Sequence, residues 1–255
     1  MNDQNIYTGR NSQIGQYLPD NLHYVHYDIK DETTWGFLHE CNNLFLIVPK
    51  IPHVLEHCKN FIYTAKQAGV KKIVKIGSLG SWRVIHNQLD TYIRDCGINC
   101  ISFDMSVLMN NIFTEQYVGT TLLNYRHDTP APYLDPKALA EAIEQAMNRE
   151  ALLNFNIKAT GRFQYSIEDV QRILELNGYP VTSIETTHNN QLHKNAGVSP
   201  DQRLMSNISD DYALGIYPLI STDLNMFGVT SRSLEDFVEQ DSVYFLNLQD
   251  GDKNL

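Results

Sequence analysis

The chain has 255 residues, 42% of them hydrophobic and 20% charged, which is enough to bury a sizeable core. Its formal charge of −10 excludes nonspecific binding to nucleic acid or to an anionic membrane, because phosphate is gripped mainly by clustered Lys and Arg. No apolar run approaches the roughly 18–20 residues of a membrane span, the N-terminus lacks the pattern of a signal peptide, and four cysteines without a CxxC pair fit reduced thiols in a cytoplasmic protein.

A short apolar run, Ile6-Tyr7, meets Thr8-Gly9, with Gly15 six residues later and Asp28 thirteen after that. The runs "HYVHY" (23–27), "NLFLIVP" (43–49), "KKIVKIG" (71–77) and "INCISF" (98–103) are short, bounded and rich in β-branched or aromatic residues, the mark of buried strands. Lys71 to Lys75 read as the charged start of one of them. Between the strands, 53–69 places Val54, Leu55, Phe61, Ile62 and Ala65 on one helical side and stops at Gly69. Residues 81–97 do the same with Val84, Ile85, Leu89, Tyr92 and Ile93, stopping at Gly97. Buried strands joined by helices predict a parallel sheet covered on both faces.

Beyond Gly119 a helix over 135–150 has Pro136 in its first turn. A strand is expected at 155–160 and a helix at 166–178, opened by a Ser166/Asp169 capping box and closed at Gly178. A further strand at 180–186 and helices at 199–217 and 231–240 complete the chain. Asp210-Asp211 and Glu239 to Asp241 read as solvated faces. The expected fold class is α/β: a Rossmann-like parallel sheet with helices on both faces and a small C-terminal α/β lobe. Residues 1–119 form its reduced core, and 120–255 the remaining core elements and the lobe, packed as one unit.

Two constellations are set aside. His53 and His57 are four apart with Cys58 adjacent, but no third metal ligand sits at a telling spacing, so no metal site is expected. Ser78 and Ser81 lack the GxSxG elbow of a nucleophilic serine.

Several stretches together resemble the NmrA-like family, the atypical short-chain dehydrogenase/reductases that include quinone reductases and NAD(P)-sensing regulators. "YTGRNSQIG" (7–15) resembles the family's TGATGxxG loop, and "HYDIKDETTW" (26–35) its GDxxD segment. "LFLIVP" (44–49) with "AKQAGVKKIVKIGS" (65–78) resembles its central strand, helix and next strand. "RDCGINCISFDMSVLMNN" (94–111) and "TGRFQYSIEDVQRILE" (160–175) resemble its later segments, so the similarity spans nearly the whole chain.

The resemblance implies a site for NAD(P)(H), with the loop Thr8, Gly9, Arg10, Asn11, Ser12, Gln13, Ile14 and Gly15 around the pyrophosphate. Gly9 and Gly15 match the first and last glycines, and Gln13 and Ile14 offer backbone amides. Ser12 replaces the middle glycine and brings a Cβ that crowds the phosphates. Arg10 replaces a small residue, either to meet a 2′-phosphate or as a surface side chain. Only 14 residues separate Thr8 from His23, room for a stunted helix at most. Two placements follow for the strand at 23–27. It is the family's third strand with the second missing, or it takes the second position, with Asp28 19 residues after Gly9. Both put Asp28 and Ile29 at the adenosine end.

Val48, Pro49 and Ser78 should border the cleft, and Met105, Met109, Asn111 and Phe113 should wall its substrate side, unless the Met and Phe cluster is core packing. The family's catalytic Lys falls on His86, its Tyr on Trp82, and a commonly following Arg on Asp104. An imidazole can act as acid or base near neutral pH, so His86 is the catalytic candidate and also a cofactor-lining one. Two functions stand. One is a non-catalytic NAD(P)-binding regulator, sensor or structural partner whose cofactor grip is weak or lost, with a protein as partner. The other is an NAD(P)H-dependent reductase of a small carbonyl, quinone or imine.

Overall fold

The computed structural model describes residues 5–8, 14–18, 22–49, 51–79, 83–124, 129–150, 152–186 and 220–251. Nine strands fall among them: β1 Asn5–Thr8, β2 His23–Val25, β3 Asn43–Leu46, β4 Lys72–Ser78, β5 Asn99–Met105, β6 Tyr117–Val118, β7 Thr121–Asn124, β8 Phe155–Ala159 and β9 Ser183–Thr186. The α-helices are α1 Val54–Ala68, α2 Arg83–Asp95, α3 Pro136–Asn148, α4 Ile167–Leu176 and α5 Leu234–Gly251. No helix among the described residues is long and apolar enough to cross a membrane.

The main sheet has the order β2-β1-β3-β4-β5-β8, with every adjacent pair parallel. This decides between the two placements of the early strand. His23, Tyr24 and Val25 lie directly opposite Ile6, Tyr7 and Thr8, so the strand sits in the second position and ends the sheet. Among the described residues of the stretch before it, Gly15–Tyr17 form a three-residue 3-10 turn.

Alternation along the strands divides two cores. On one face Phe45, Val74, Ile76, Ile101, Phe103 and Ile157 pack against the Ala- and Leu-rich side of α3. On the other, Leu44, Leu46, Ile73 and Cys100 meet Cys58, Phe61, Ile62 and Ala65 of α1 and Leu89 and Ile93 of α2. Val84, assigned to the buried side of α2 by periodicity, is instead 64% exposed, because it lies on the opposite side of the helix from the buried His86, Leu89, Asp90 and Ile93. Asp135 caps α3 by accepting from the Lys137 N–H, with Pro136 at the first helical position.

A smaller sheet, β6-β7-β9, packs with α4 and α5 in a third core that includes Phe113, Tyr117, Leu122, Val170 and Phe237. The Ser166/Asp169 capping box is present at α4. The last helix, expected over 231–240, runs to Gly251. The helix expected over 199–217 lies outside the described residues.

Candidate functional site

The chain leaves β1 toward β2 on one side of the sheet and reaches β3 on the other. The carboxyl ends of β1 and β3 therefore form the switch point at which open parallel sheets place their ligands. Thr8 closes β1 opposite Leu46, the last residue of β3. Val48 and Pro49 follow two and three residues beyond, and Ser78 ends the neighbouring β4. All three are half-buried.

The turn after β2 carries Asp28 and Ile29, the residues expected at the adenosine end. The Asp28 carbonyl accepts from Trp35 Nε1 at 2.8 Å and from the Asp31 N–H at 3.0 Å, while its carboxylate Oδ1 accepts from the Lys30 N–H at 2.9 Å. The side chain is exposed and held in place by its own turn. Ile29, in contrast, is 6% exposed and belongs to the second core. Gly9 to Gln13 of the expected phosphate loop lie outside the described residues. Ile14 is buried in the first core, and half-buried Gly15 opens the 3-10 turn.

His86 lies in the first turn of α2 and is buried. Its Nδ1 faces the Lys75 ammonium at 3.5 Å. Lys75 comes up from the middle of β4 and is wholly buried, in an ion pair of 2.8 Å with Asp90 one helical turn beyond His86. The same ammonium donates to Ser102 Oγ at 3.0 Å, and Ser102 donates to Asp104 Oδ1 at 3.2 Å. Asp90 also accepts from Asn156 Nδ2 at 3.1 Å and from the Cys100 thiol at 3.5 Å. Register explains the gathering: Lys75 stands opposite Ser102, and Ser102 opposite Asn156, on the sheet face that α2 covers.

Burial sets the electrostatics. It raises the Asp104 carboxyl above the usual carboxylate range, with Lys75 opposing and Asp90 adding to the rise. It also pushes the Cys58 and Cys100 thiols up to about 12, which leaves both as inert core residues. Gly77, opposite Asp104, has no room for a side chain, since a Cβ there would run into Asp104 Oδ1 and Ser102 Oγ.

Met105, at the end of β5, is half-buried and packs against the first core. Met109 and Phe113 are 1% and 0% exposed and pack in the third core, the core-packing arrangement that the sequence left open beside a substrate wall. Asn111 is half-buried, with a buried Oδ1. The Lys71–Lys75 run opens the buried strand β4, and of its lysines only Lys71 is exposed. Lys72 reaches the end of α3 and donates to the carbonyls of Ala146, Met147 and Arg149, where a cation suits the helix dipole.

Sequence reasoning missed Lys75, Asp90 and Ser102. The available signal was period: Lys75 and Gly77 on β4, and Cys100, Ser102 and Asp104 on β5, recur every second residue on one face. His86 and Asp90 are four apart on the helix that covers it.

Comparison with known proteins adds the fold's company. No protein-family model matches the sequence, and no curated protein matches it either. Among solved structures, the triphenylmethane reductase of a Citrobacter species, complexed with NADP(H), is 17% identical with a TM-score of 0.72 over 93% of this chain and 99% of its own. The NADPH-dependent quinone oxidoreductase of Escherichia coli, complexed with NADPH, is 16% identical at 0.75, over 91% and 98%. A Staphylococcus aureus structure described as a nucleoside-diphosphate-sugar epimerase is 14% identical at 0.76, over 93% and 100%.

The chain shares their fold. The Rossmann-like sheet expected from the strand and helix pattern is the one observed.

Proposed function

We propose that this chain is an NmrA-like protein that binds a nicotinamide dinucleotide along the carboxyl edge of the main sheet and acts without turnover, as a regulator, sensor or structural partner. The observation that carries the reading is the switch point between β1 and β3, with Val48, Pro49 and Ser78 on its rim and exposed Asp28 at its far end. Whole-length likeness to NADP(H)-bound reductases supports the same ligand. Residues 1–119 supply the nucleotide edge, and 120–255 supply the lobe that faces a substrate or a partner.

The residues fit the two nucleosides better than they fit the diphosphate between them. Asp28 suits a ribose hydroxyl, and the half-buried rim suits a flat base or nicotinamide. A pyrophosphate is normally held by the aligned N–H groups of a full helix, and the 14 residues between Thr8 and His23 leave room for a stunted one at most. Binding is therefore expected to be weak. The first turn of α2 offers Arg83, Val84, Ile85 and His86 in place of a Tyr–Lys pair, which favours binding without chemistry.

One observation favours the second reading, a reductase of a small carbonyl, quinone or imine. His86 is buried at the head of α2 and locked against Lys75, the setting of a proton donor rather than of a surface histidine. The nicotinamide would supply the hydride, and the chain would orient the acceptor and deliver a proton. Mixing the protein with NADPH and a panel of quinones and carbonyls separates the two. No oxidation of NADPH above the buffer rate is the expected result. Turnover abolished in His86→Ala, with folding intact, would establish the reductase instead.

A further inference from the structure

A single 3-10 turn does not hold its place by its backbone bonds, because fixing the chain for the first bond costs more than that bond returns. In Gly15–Tyr17 the Tyr17 N–H donates to the Ile14 carbonyl at 2.9 Å, and the Leu18 N–H donates to the Gly15 carbonyl at 3.2 Å. Side chains set the turn's position instead. Ile14 is buried in the first core, and the Tyr17 side chain packs against both the first core and the third. The Tyr17 hydroxyl then reaches α5 and donates to Asp241 Oδ2 at 3.1 Å. That carboxylate is fixed in turn by Arg232, whose Nη2 donates to it at 2.8 Å and to Asp135, the cap of α3, at 3.0 Å.

We propose that Tyr17 is a positioning residue for the dinucleotide: held by Asp241, it anchors the C-terminal end of the loop expected at 8–15 and so links occupancy of that loop to the seating of α5. It takes the place of the full helix for which the 14 residues between Thr8 and His23 leave no room. The nucleotide half of this statement rests on the dinucleotide reading above, whereas the anchoring half does not. Gly15 stands two residues before Tyr17. A loop that orders around a ligand therefore starts with one end fixed, and the ligand has less disorder to overcome. Linkage makes the effect mutual, so the nucleotide steadies α5 as α5 steadies the nucleotide. Burial, and after it the Asp241 carboxylate, raises the Tyr17 hydroxyl above its ordinary value, which keeps it a donor.

The anchoring is tested without nucleotide, by amide exchange in the full chain. Tyr17→Phe keeps the ring in both cores and removes the hydroxyl. Exchange of the amides of 238–242 in α5 should quicken about tenfold, the effect of losing one hydrogen bond to a charged group. Asp241→Ala should quicken exchange at Tyr17 and Leu18, although 224 positions separate Asp241 from Tyr17. An unchanged distant element would overturn the proposal. NADPH is the probe for the other half. It should slow exchange in α5 of the native protein but not of Tyr17→Phe, and bind that variant about tenfold more weakly. Equal affinity for the two proteins would overturn the link. Ser166→Ala, which loosens α4 instead, should leave NADPH affinity unchanged, and a loss as large as that of Tyr17→Phe would reduce the effect to general destabilisation and overturn the link as well. Coupled exchange without any NADPH binding to the native protein sinks the dinucleotide reading and leaves the anchor standing.

Discussion

Asp104 shows how a single residue ties the candidate site to stability. Its burial raises the carboxyl above the usual range, so the native state keeps a proton at pH values where the unfolded chain has lost it. Stability contributed by this group is fully present at low pH and declines as pH climbs from about 3.9 through the raised native value. Asp104→Asn keeps an acceptor for Ser102 and removes the titration. The melting temperature of the variant, relative to the native protein, is expected to rise steadily between about pH 3.5 and pH 7. A gap that stays constant over this range would show that the carboxyl is not perturbed. Little of this was legible in the sequence. A lysine inside a strand pattern reads as an exposed end, because burying an unpaired ammonium costs several kcal/mol. The partner that offsets the cost, Asp90, comes from a helix, and only the register of β4, β5 and β8 brings the two together.

Elements were far more legible than side chains. Strands β3, β4, β5 and β8 and helices α1 to α4 fall where hydrophobic period and stop signals place them, with Gly69, Gly97 and Gly178 all in the left-handed region just after helices. The capping box at α4 is the sharpest case, since Ser166 and Asp169 each accept from the other's N–H, at 3.2 and 3.0 Å. Ser166→Ala is expected to cost about 1 kcal/mol, read from urea unfolding, with the slope of the transition unchanged. No loss would mean that packing of Ile167 and Val170 alone holds the helix end. The hairpin of β6 and β7 was not anticipated. Its first strand has two residues, too short for alternation to register, and its turn rests on Gly119 at φ 64°. The position of β2 was left open by the sequence, because run length gives a strand's existence and only pairing gives its neighbour.

At the scale of the molecule, the C-terminal helix is fastened to the N-terminal turn that ends the expected phosphate region. Arg232 donates through Nε and Nη2 to both oxygens of buried Asp135, the cap of α3, and through Nη2 to Asp241 of α5. Asp241 in turn accepts from the Tyr17 hydroxyl at 3.1 Å. Asp241 is thus half-buried and doubly bonded, not part of a solvated face, and a partner more than 200 positions away leaves no local pattern to read. Arg232→Met strands the Asp135 carboxylate, 2% exposed, without its cation. A loss of about 2–3 kcal/mol in urea unfolding is expected, less than for a fully buried pair because Arg232 keeps some solvent contact. Arg232→Met with Asp135→Asn should recover much of it. Equal losses in both variants would mean that the contact is packing rather than charge.

The central claim is that the edge where β1 meets β3 still holds a nicotinamide dinucleotide, although only 14 residues separate Thr8 from His23. Calorimetric titration of the purified protein with NADPH and NADH tests it most directly. Saturable one-to-one binding, weaker than about 10 μM, is the result this account expects. No heat of binding with either nucleotide at millimolar concentration would contradict it, and would leave a Rossmann-like fold whose ligand is another protein.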